Sequence, residues 1–235
     1  MQARPEKVAF VERIPVCEGT ASFAFERPAA GGFSAGQHFA LTLETAEGEQ
    51  TKHFSHCDAP ADEHARLTTR LTGSPFKTAL EALDPGDPVG VEGPFGALTV
   101  GEQVKKAVFL VGGVGITPAR SIVRDSVQRH TGLTSLVFDG NLDERCIPFL
   151  EEFRGYEADD PRIRFVHVLE RPSAAWTGER GYITAELVTR HCDPLDGWHW
   201  YIAGPPAMTK AMERVIVALE LPADRVSREP FSGYG

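Results

Sequence analysis

From residue 8 to about residue 91, apolar and polar positions alternate in short runs at 8–16, 21–26, 37–45, 52–57, 65–71 and 89–91, separated by glycine and polar clusters. A period of two puts neighbouring side chains on opposite faces, so each run predicts a strand. Six short strands in succession predict a small antiparallel barrel or sandwich. One helix interrupts them. Ser74 suits an N-cap, Pro75 suits a first helical turn, and Phe76, Ala79, Leu80 and Leu83 recur at helical spacing until Pro85-Gly86 stops the run.

After about residue 104 the pattern changes. Apolar runs at 107–111, 133–138, 163–169 and 198–203 alternate with helical periodicity at 118–130, 147–153, 185–191 and 206–219, and a last short strand is expected at 225–226. This alternation predicts parallel strands joined by crossover helices, a doubly wound sheet. The least patterned stretch, 98–105, separates the two textures. The fold class expected is therefore β followed by α/β, with an antiparallel domain over 1–100 and a parallel-sheet nucleotide domain over 101–235.

Composition narrows the classes of function. The chain has 235 residues, enough for two domains, and its 42% hydrophobic and 24% charged residues are those of a globular protein. A net charge of −9 argues against a dedicated nucleic-acid binder. The longest apolar stretch, 107–116, is interrupted by three glycines and is far shorter than the roughly 20 residues of a membrane span. No apolar signal core follows the N-terminus, so a cytoplasmic location is expected. Cys17, Cys57, Cys146 and Cys192 lie at least forty residues apart, which reads as structural or incidental thiols and excludes a ferredoxin-type cluster motif. His53 and His56 complete no ligand set, so no metal centre is expected.

Four segments carry chemistry. Gly112-Gly113-Val114-Gly115-Ile116-Thr117-Pro118 follows an apolar strand and opens a helix, with Thr117 suited to cap it and Pro118 to its first turn. Its glycines admit close backbone approach and its free amides face an anion, the requirements of a nucleotide site. Ala203-Gly204-Pro205-Pro206-Ala207-Met208 repeats the strand-to-helix junction, and in an open parallel sheet both loops lie at the same edge. Lys52-His53-Phe54-Ser55 places a cation, a ring and a hydroxyl on one strand, able to serve a phosphate, a stacked ring and a heteroatom. Gly73-Ser74-Pro75-Phe76 is a second loop feeding a helix N-terminus, and Gly93-Pro94-Phe95-Gly96 reads as a turn bearing on domain packing.

Taken in order, these motifs resemble the ferredoxin-NADP reductase superfamily over nearly the whole chain. Lys52-His53-Phe54-Ser55 is similar to its Arg-x-Tyr-Ser flavin signature, Gly112 to Pro118 to its Gly-Gly-x-Gly-x-Thr-Pro loop, and Gly204 to Met208 to its Cys-Gly-Pro-Pro-x-Met segment. The resemblance implies FAD, with FMN the alternative, and NADH or NADPH as co-substrate. It places Phe54 on the flavin ring, Ser55 near its reacting nitrogen and Lys52 at its phosphate, with His53 among the cofactor-binding residues. It puts Gly73, Ser74, Pro75 and Phe76 at a phosphate loop. Gly113, Val114, Gly115 and Thr117 would hold the dinucleotide, while Gly204, Pro205 and Met208 would border the nicotinamide. The C-terminal run resembles a Glu-x-Phe-x-Gly-Tyr ending, which implies Glu229 as a catalytic acid beside Ser55, with Phe231 or Tyr234 over the ring. Lys52 replaces the family's arginine, Phe54 its tyrosine, and Ala203 its cysteine.

Asp139, at the end of the strand over 133–138, is expected to hydrogen-bond a ribose diol and repel a 2′-phosphate, which favours NADH, with Arg145 the cation within reach. The activity implied is hydride transfer between a nicotinamide and flavin, with single electrons passed to a separate protein carrier such as ferredoxin, flavodoxin or an oxygenase component. A free-flavin or quinone reductase is a second enzyme reading. An electron-transfer subunit or nucleotide-sensing module without independent turnover is the reading from another class.

Overall fold

Alternation in the first hundred residues becomes six antiparallel strands: β1 (Glu6–Cys17), β2 (Thr20–Phe25), β3 (His38–Thr45), β4 (Gly48–Ser55), β5 (Ala65–Arg70) and β6 (Pro88–Phe95). The computed structural model describes residues 5–29, 32–192 and 194–231. The strands form one sheet in the order β4-β3-β6-β1-β2-β5, which curls until its outer strands β4 and β5 approach each other. Phe10, Phe23, Phe25, Phe39, Leu41 and Leu67 fill the inside of the curl. Between β5 and β6 the helix α1 (Pro75–Glu81) buries Phe76 and Leu80 in the same core. Ser74 occupies the expected N-cap position, but its hydroxyl makes no capping bond and lines a cleft instead.

The second sheet is parallel throughout. β7 (Lys106–Gly112), β8 (Thr134–Asn141), β9 (Ile163–Leu169), β10 (Glu179–Arg180), β11 (His199–Gly204) and β12 (Val226–Pro230) lie in the order β10-β9-β8-β7-β11-β12. Helices α2 (Ile116–Arg129) and α3 (Leu150–Asp159) cover one face, and α4 (Ala185–His191) and α5 (Pro206–Ala218) the other. Strand periodicity explains the division. Ala107, Phe109 and Val111 of β7 join the core under α2, whereas Val108 and Leu110 join the core under α4 and α5. Both faces are buried, so the strand reads as an unbroken apolar run. Among the described residues no helix is long and apolar enough to cross a membrane.

Polar groups of α2 fasten the two domains together. Arg120 donates to the Cys57 carbonyl, Ser121 Oγ donates to the Asp58 carbonyl at 2.6 Å, and Arg124 grips Asp62 with bonds of 2.6 and 2.8 Å. Glu152 on α3 accepts from Arg120 at 2.8 and 3.1 Å and from Arg124 at 3.3 Å, so one carboxylate orients both arginines. The cysteines also depart from expectation. Cys17, at the end of β1, is joined to Cys146, in the short turn Glu144–Cys146 after β8, by a disulfide spanning 129 residues. No spacing rule reveals a pair that only the domain arrangement brings together. Cys57 and Cys192 are buried.

Asp62 makes this junction sensitive to acid. Burial alone would raise its carboxyl, but hydrogen bonds from Arg124, the Ala59 amide and Gln128 outweigh burial and hold it down at about 2, against an ordinary 3.8. A depressed folded pKa gives stability that is present above the unfolded value and lost as pH falls through the folded one. The urea midpoint is therefore expected to drop between pH 4 and pH 2, and Asp62→Asn to flatten that part of the profile. An equally steep loss in the variant would assign the acid sensitivity to other carboxylates.

Candidate functional site

β7 feeds α2 and β8 on one side, and the chain returns to place β11 on β7's other side, so strand order reverses between β7 and β11. Ligands of open parallel sheets bind at the carboxyl edge of such a reversal. Gly112 ends β7 there, and the turn Gly113–Gly115 leads into α2. Gly113 has φ 53°, in the left-handed region, and a Cβ on it would meet nothing within 4 Å. Gly115 is the opposite case. A Cβ there would lie 2.6 Å from the Ala203 carbonyl oxygen and 2.8 Å from the Gly204 Cα. Glycine at 115 thus lets the two junctions touch backbone to backbone.

Gly112, Gly113, Val114, Pro205 and Met208 accordingly line one cleft of about 650 Å³. Helices α2 and α5 both begin at this edge with no acidic side chain in their first turns, which leaves their positive ends available to an anion. Ala203 is turned away from the cleft, into the core beneath α2.

Asp139 requires correction. It is fully buried, accepts from Asn141 Nδ2 at 2.8 Å and pairs with His167 Nδ1 at 3.2 Å, and it does not line the cleft. Strand alternation turns it towards the α2 face. The acids at the cleft are Glu18, Asp143 and Glu170. Arg145 lines it too, but its guanidinium is held by Asp143 at 2.7 Å and faces Glu18 at 3.5 Å. Leu142 and Tyr182, 41% and 68% exposed, add apolar surface to the same wall. Sequence reasoning missed Tyr182, because nothing local distinguishes it from any exposed tyrosine.

A second cleft of about 620 Å³ opens on the antiparallel side. The edge strand β4 presents Lys52, His53, Phe54 and Ser55 to it, the start of α1 contributes Ser74, Pro75 and Phe76, and β12 with the residue after it contributes Glu229 and Phe231. Thr68, Thr69 and His38 line it as well and were not anticipated. Phe54 leans on Phe76 with ring centroids 5.8 Å apart. Phe76 itself is 2% exposed, so its ring belongs to the barrel core and supports Phe54 without being free to face a ligand. Burial, then the neighbouring His38, lowers the His53 imidazole against an opposing pull from Glu92, which favours its neutral form.

Thr117 differs from expectation in two ways. It lies within α2 and not at its cap, its hydroxyl donating to the Val114 carbonyl at 2.9 Å, and it lines the antiparallel-side cleft and not the glycine-loop cleft. Gly73 has φ 70° and stands just outside the lining, where it sets the turn into Ser74. Gly115 and Gly204 do not line the glycine-loop cleft; they touch each other behind it, with Gly204 next to Met208, which does line it. Tyr234 falls outside the described residues. Val114 lines both clefts, so molecules bound in the two would meet across it.

Two observations test whether such residues fit a flavin and a dinucleotide. Glu229 Oε2 is buried and has no hydrogen-bond partner among the described residues, an acceptor open to a donor. At Gly113 nothing lies within 4 Å of where a Cβ would stand, so the backbone of the turn is open on the cleft side. Both clefts fit.

Comparison with known proteins agrees with this geometry. The profile of the oxidoreductase NAD-binding domain family matches residues 109–214. Ferredoxin--NADP reductase B of Sorangium cellulosum is 29% identical over 228 residues, covering 92% of each chain. Nitrate reductase [NADPH] of Emericella nidulans is 28% identical over 91% of this chain, which spans only 28% of that relative's length. The crystal structure of a ferredoxin NADP+ reductase from Neisseria gonorrhoeae with bound FAD and NADP superposes with a TM-score of 0.85 at 20% identity, covering 97% of this chain and 99% of that one. The motifs, the two-sheet fold and a relative matched along nearly its whole length agree: the chain is similar to ferredoxin-NADP reductases from end to end and matches the oxidoreductase NAD-binding domain family in its second half.

Proposed function

We propose that this chain is an NAD(P)H-dependent flavoprotein reductase that binds FAD in the antiparallel-side cleft and a nicotinamide nucleotide in the glycine-loop cleft. The observation that carries this reading is Val114, the residue common to both clefts, which brings the two ligands within reach of each other. A bound flavin supplies acceptance of a hydride and release of electrons one at a time. The protein supplies position and electrostatics. Lys52 neutralises phosphate, Phe54 gives the ring an apolar face, and Ser55, 7% exposed, offers a hydroxyl inside the cleft. The α2 and α5 termini with Gly113 receive the dinucleotide phosphates. Electrons then pass to a separate carrier such as ferredoxin, flavodoxin or an oxygenase component.

NADH is the favoured donor. The acids Glu18, Asp143 and Glu170 outnumber the cations Arg70 and Arg145 in the lining, and Arg145 is already engaged by Asp143 and Glu18, so the wall as a whole repels a 2′-phosphate. The purified protein is expected to show flavin absorption bands that NADH bleaches anaerobically, with KM for NADPH at least about tenfold higher, the size of one lost charge-assisted contact. A colourless protein that cannot be reconstituted with FAD or FMN would sink the reading. Turnover of quinones or free flavin, with none of any protein carrier, would move it to the small-acceptor class.

A further inference from the structure

His38 opens β3 in the antiparallel domain, and Glu229 lies on β12, the last strand of the parallel domain. Although 191 residues apart, they meet, His38 Nδ1 standing 2.8 Å from Glu229 Oε1. With a carboxylate as acceptor, Nδ1 is the donor. The surroundings are built for this contact. Gly96, directly after β6, has φ 87°, and a Cβ there would lie 2.6 Å from Glu229 Oε1 and 2.7 Å from His38 Nδ1. The glycine that closes the Gly-Pro-Phe-Gly segment is therefore the space in which the pair forms. The rings of His53 and Phe95 pack against the imidazole at 5.4 and 5.8 Å and restrict its rotation.

The carboxylate is only half satisfied. Oε1 has its donor, while Oε2 is buried without one among the described residues, on a residue that lines the proposed flavin cleft. A bridge that served only to join the domains would gain by pairing both oxygens, since a buried acceptor left unpaired carries its desolvation cost uncompensated. Leaving one oxygen bare makes sense when a ligand supplies the missing donor.

We propose that His38 is a positioning residue: through Nδ1 it clamps Glu229 so that Oε2 is presented to an N–H group of the ring system bound in this cleft. The identity of that ring rests on the functional reading above, whereas the clamp itself does not. His38 does not touch the reacting atoms in this proposal; it acts through Glu229.

Two variants test it. His38→Ala removes the donor, and His38→Asn keeps an N–H near the place of Nδ1. In the flavin-free protein, amide exchange of the peptide containing Glu229 is expected to speed up about tenfold in His38→Ala and to return close to wild type in His38→Asn, as for loss and restoration of one charge-assisted hydrogen bond. In the flavin-loaded protein, His38→Ala and Glu229→Gln are each expected to slow flavin reduction by NADH about tenfold, with the double variant no slower than Glu229→Gln. Unchanged exchange in His38→Ala overturns the clamp. Multiplying losses in the double variant overturn its action through Glu229. If the protein takes up no flavin, the functional reading fails by itself and the exchange measurement still decides the clamp.

Discussion

Glu152→Ala is expected to lower the free energy of unfolding by about 3–5 kcal/mol, because it strips the partner from a buried guanidinium. The Arg120 side chain is only 5% exposed, lies 4.4 Å from the Phe149 ring, and depends on Glu152 for two hydrogen bonds. The same carboxylate accepts from Arg124 at 3.3 Å and from the Tyr156 hydroxyl at 2.6 Å. Burial, reinforced by the bond to Glu152, pushes the Tyr156 phenol up to about 12. Removing Glu152 therefore leaves a buried cation and a half-buried hydroxyl short of acceptors. The damage should reach the domain boundary, since Arg120 and Arg124 are the groups that bind the Cys57 carbonyl and Asp62 across it. Urea unfolding measures the first effect and flavin retention during gel filtration the second. A loss below about 1 kcal/mol, the range of an exposed ion pair, would show that solvent replaces Glu152 readily.

Gly115→Ala is expected to reduce kcat/KM for NADH about 100-fold, the scale of an ångström-sized misplacement at a reacting centre, while leaving flavin bound. The obstacle is backbone, not a flexible side chain. The added methyl would sit 2.6 Å from the Ala203 carbonyl oxygen, so the β7–α2 turn, which lines the glycine-loop cleft, and the end of β11, which leads into Pro205 on its wall, must move apart. Gly113→Ala is the control. Its methyl meets no atom within 4 Å, and only the strain of φ 53° remains, so its loss should be several-fold smaller. Equal losses in the two variants would place the effect in turn strain. Parallel loss of flavin would show that the two clefts are not separable.

Much of the fold was legible because its signals are local. A period of two marked the strands other than the two-residue β10, and helical spacing marked α1, α2, α4 and α5 but overlapped only the first turn of α3. Glycine loops after apolar strands were legible for the same reason: a phosphate-binding turn must be made of neighbouring residues. The site was legible in proportion to its locality. Lys52 to Ser55 and Gly112 to Val114 do line clefts, whereas Asp139 was misassigned, since its place near a strand end did not reveal which face of the sheet it takes.

Sequence alone thus determined the two domain types, the order of their elements and the two loops at the parallel edge, because each follows from periodicity and turn chemistry within a dozen residues. Tertiary structure alone decided the Cys17–Cys146 bridge, the Glu152 network, the meeting of His38 with Glu229 in the space left by Gly96, and the sharing of Val114 by two clefts. The physical reason is distance along the chain. The bridge, the His38–Glu229 pair and the shared Val114 bring residues of the two domains together, which happens only after the two sheets have packed against one another, while the Glu152 network needs α2 and α3 to lie side by side on one face of the parallel sheet.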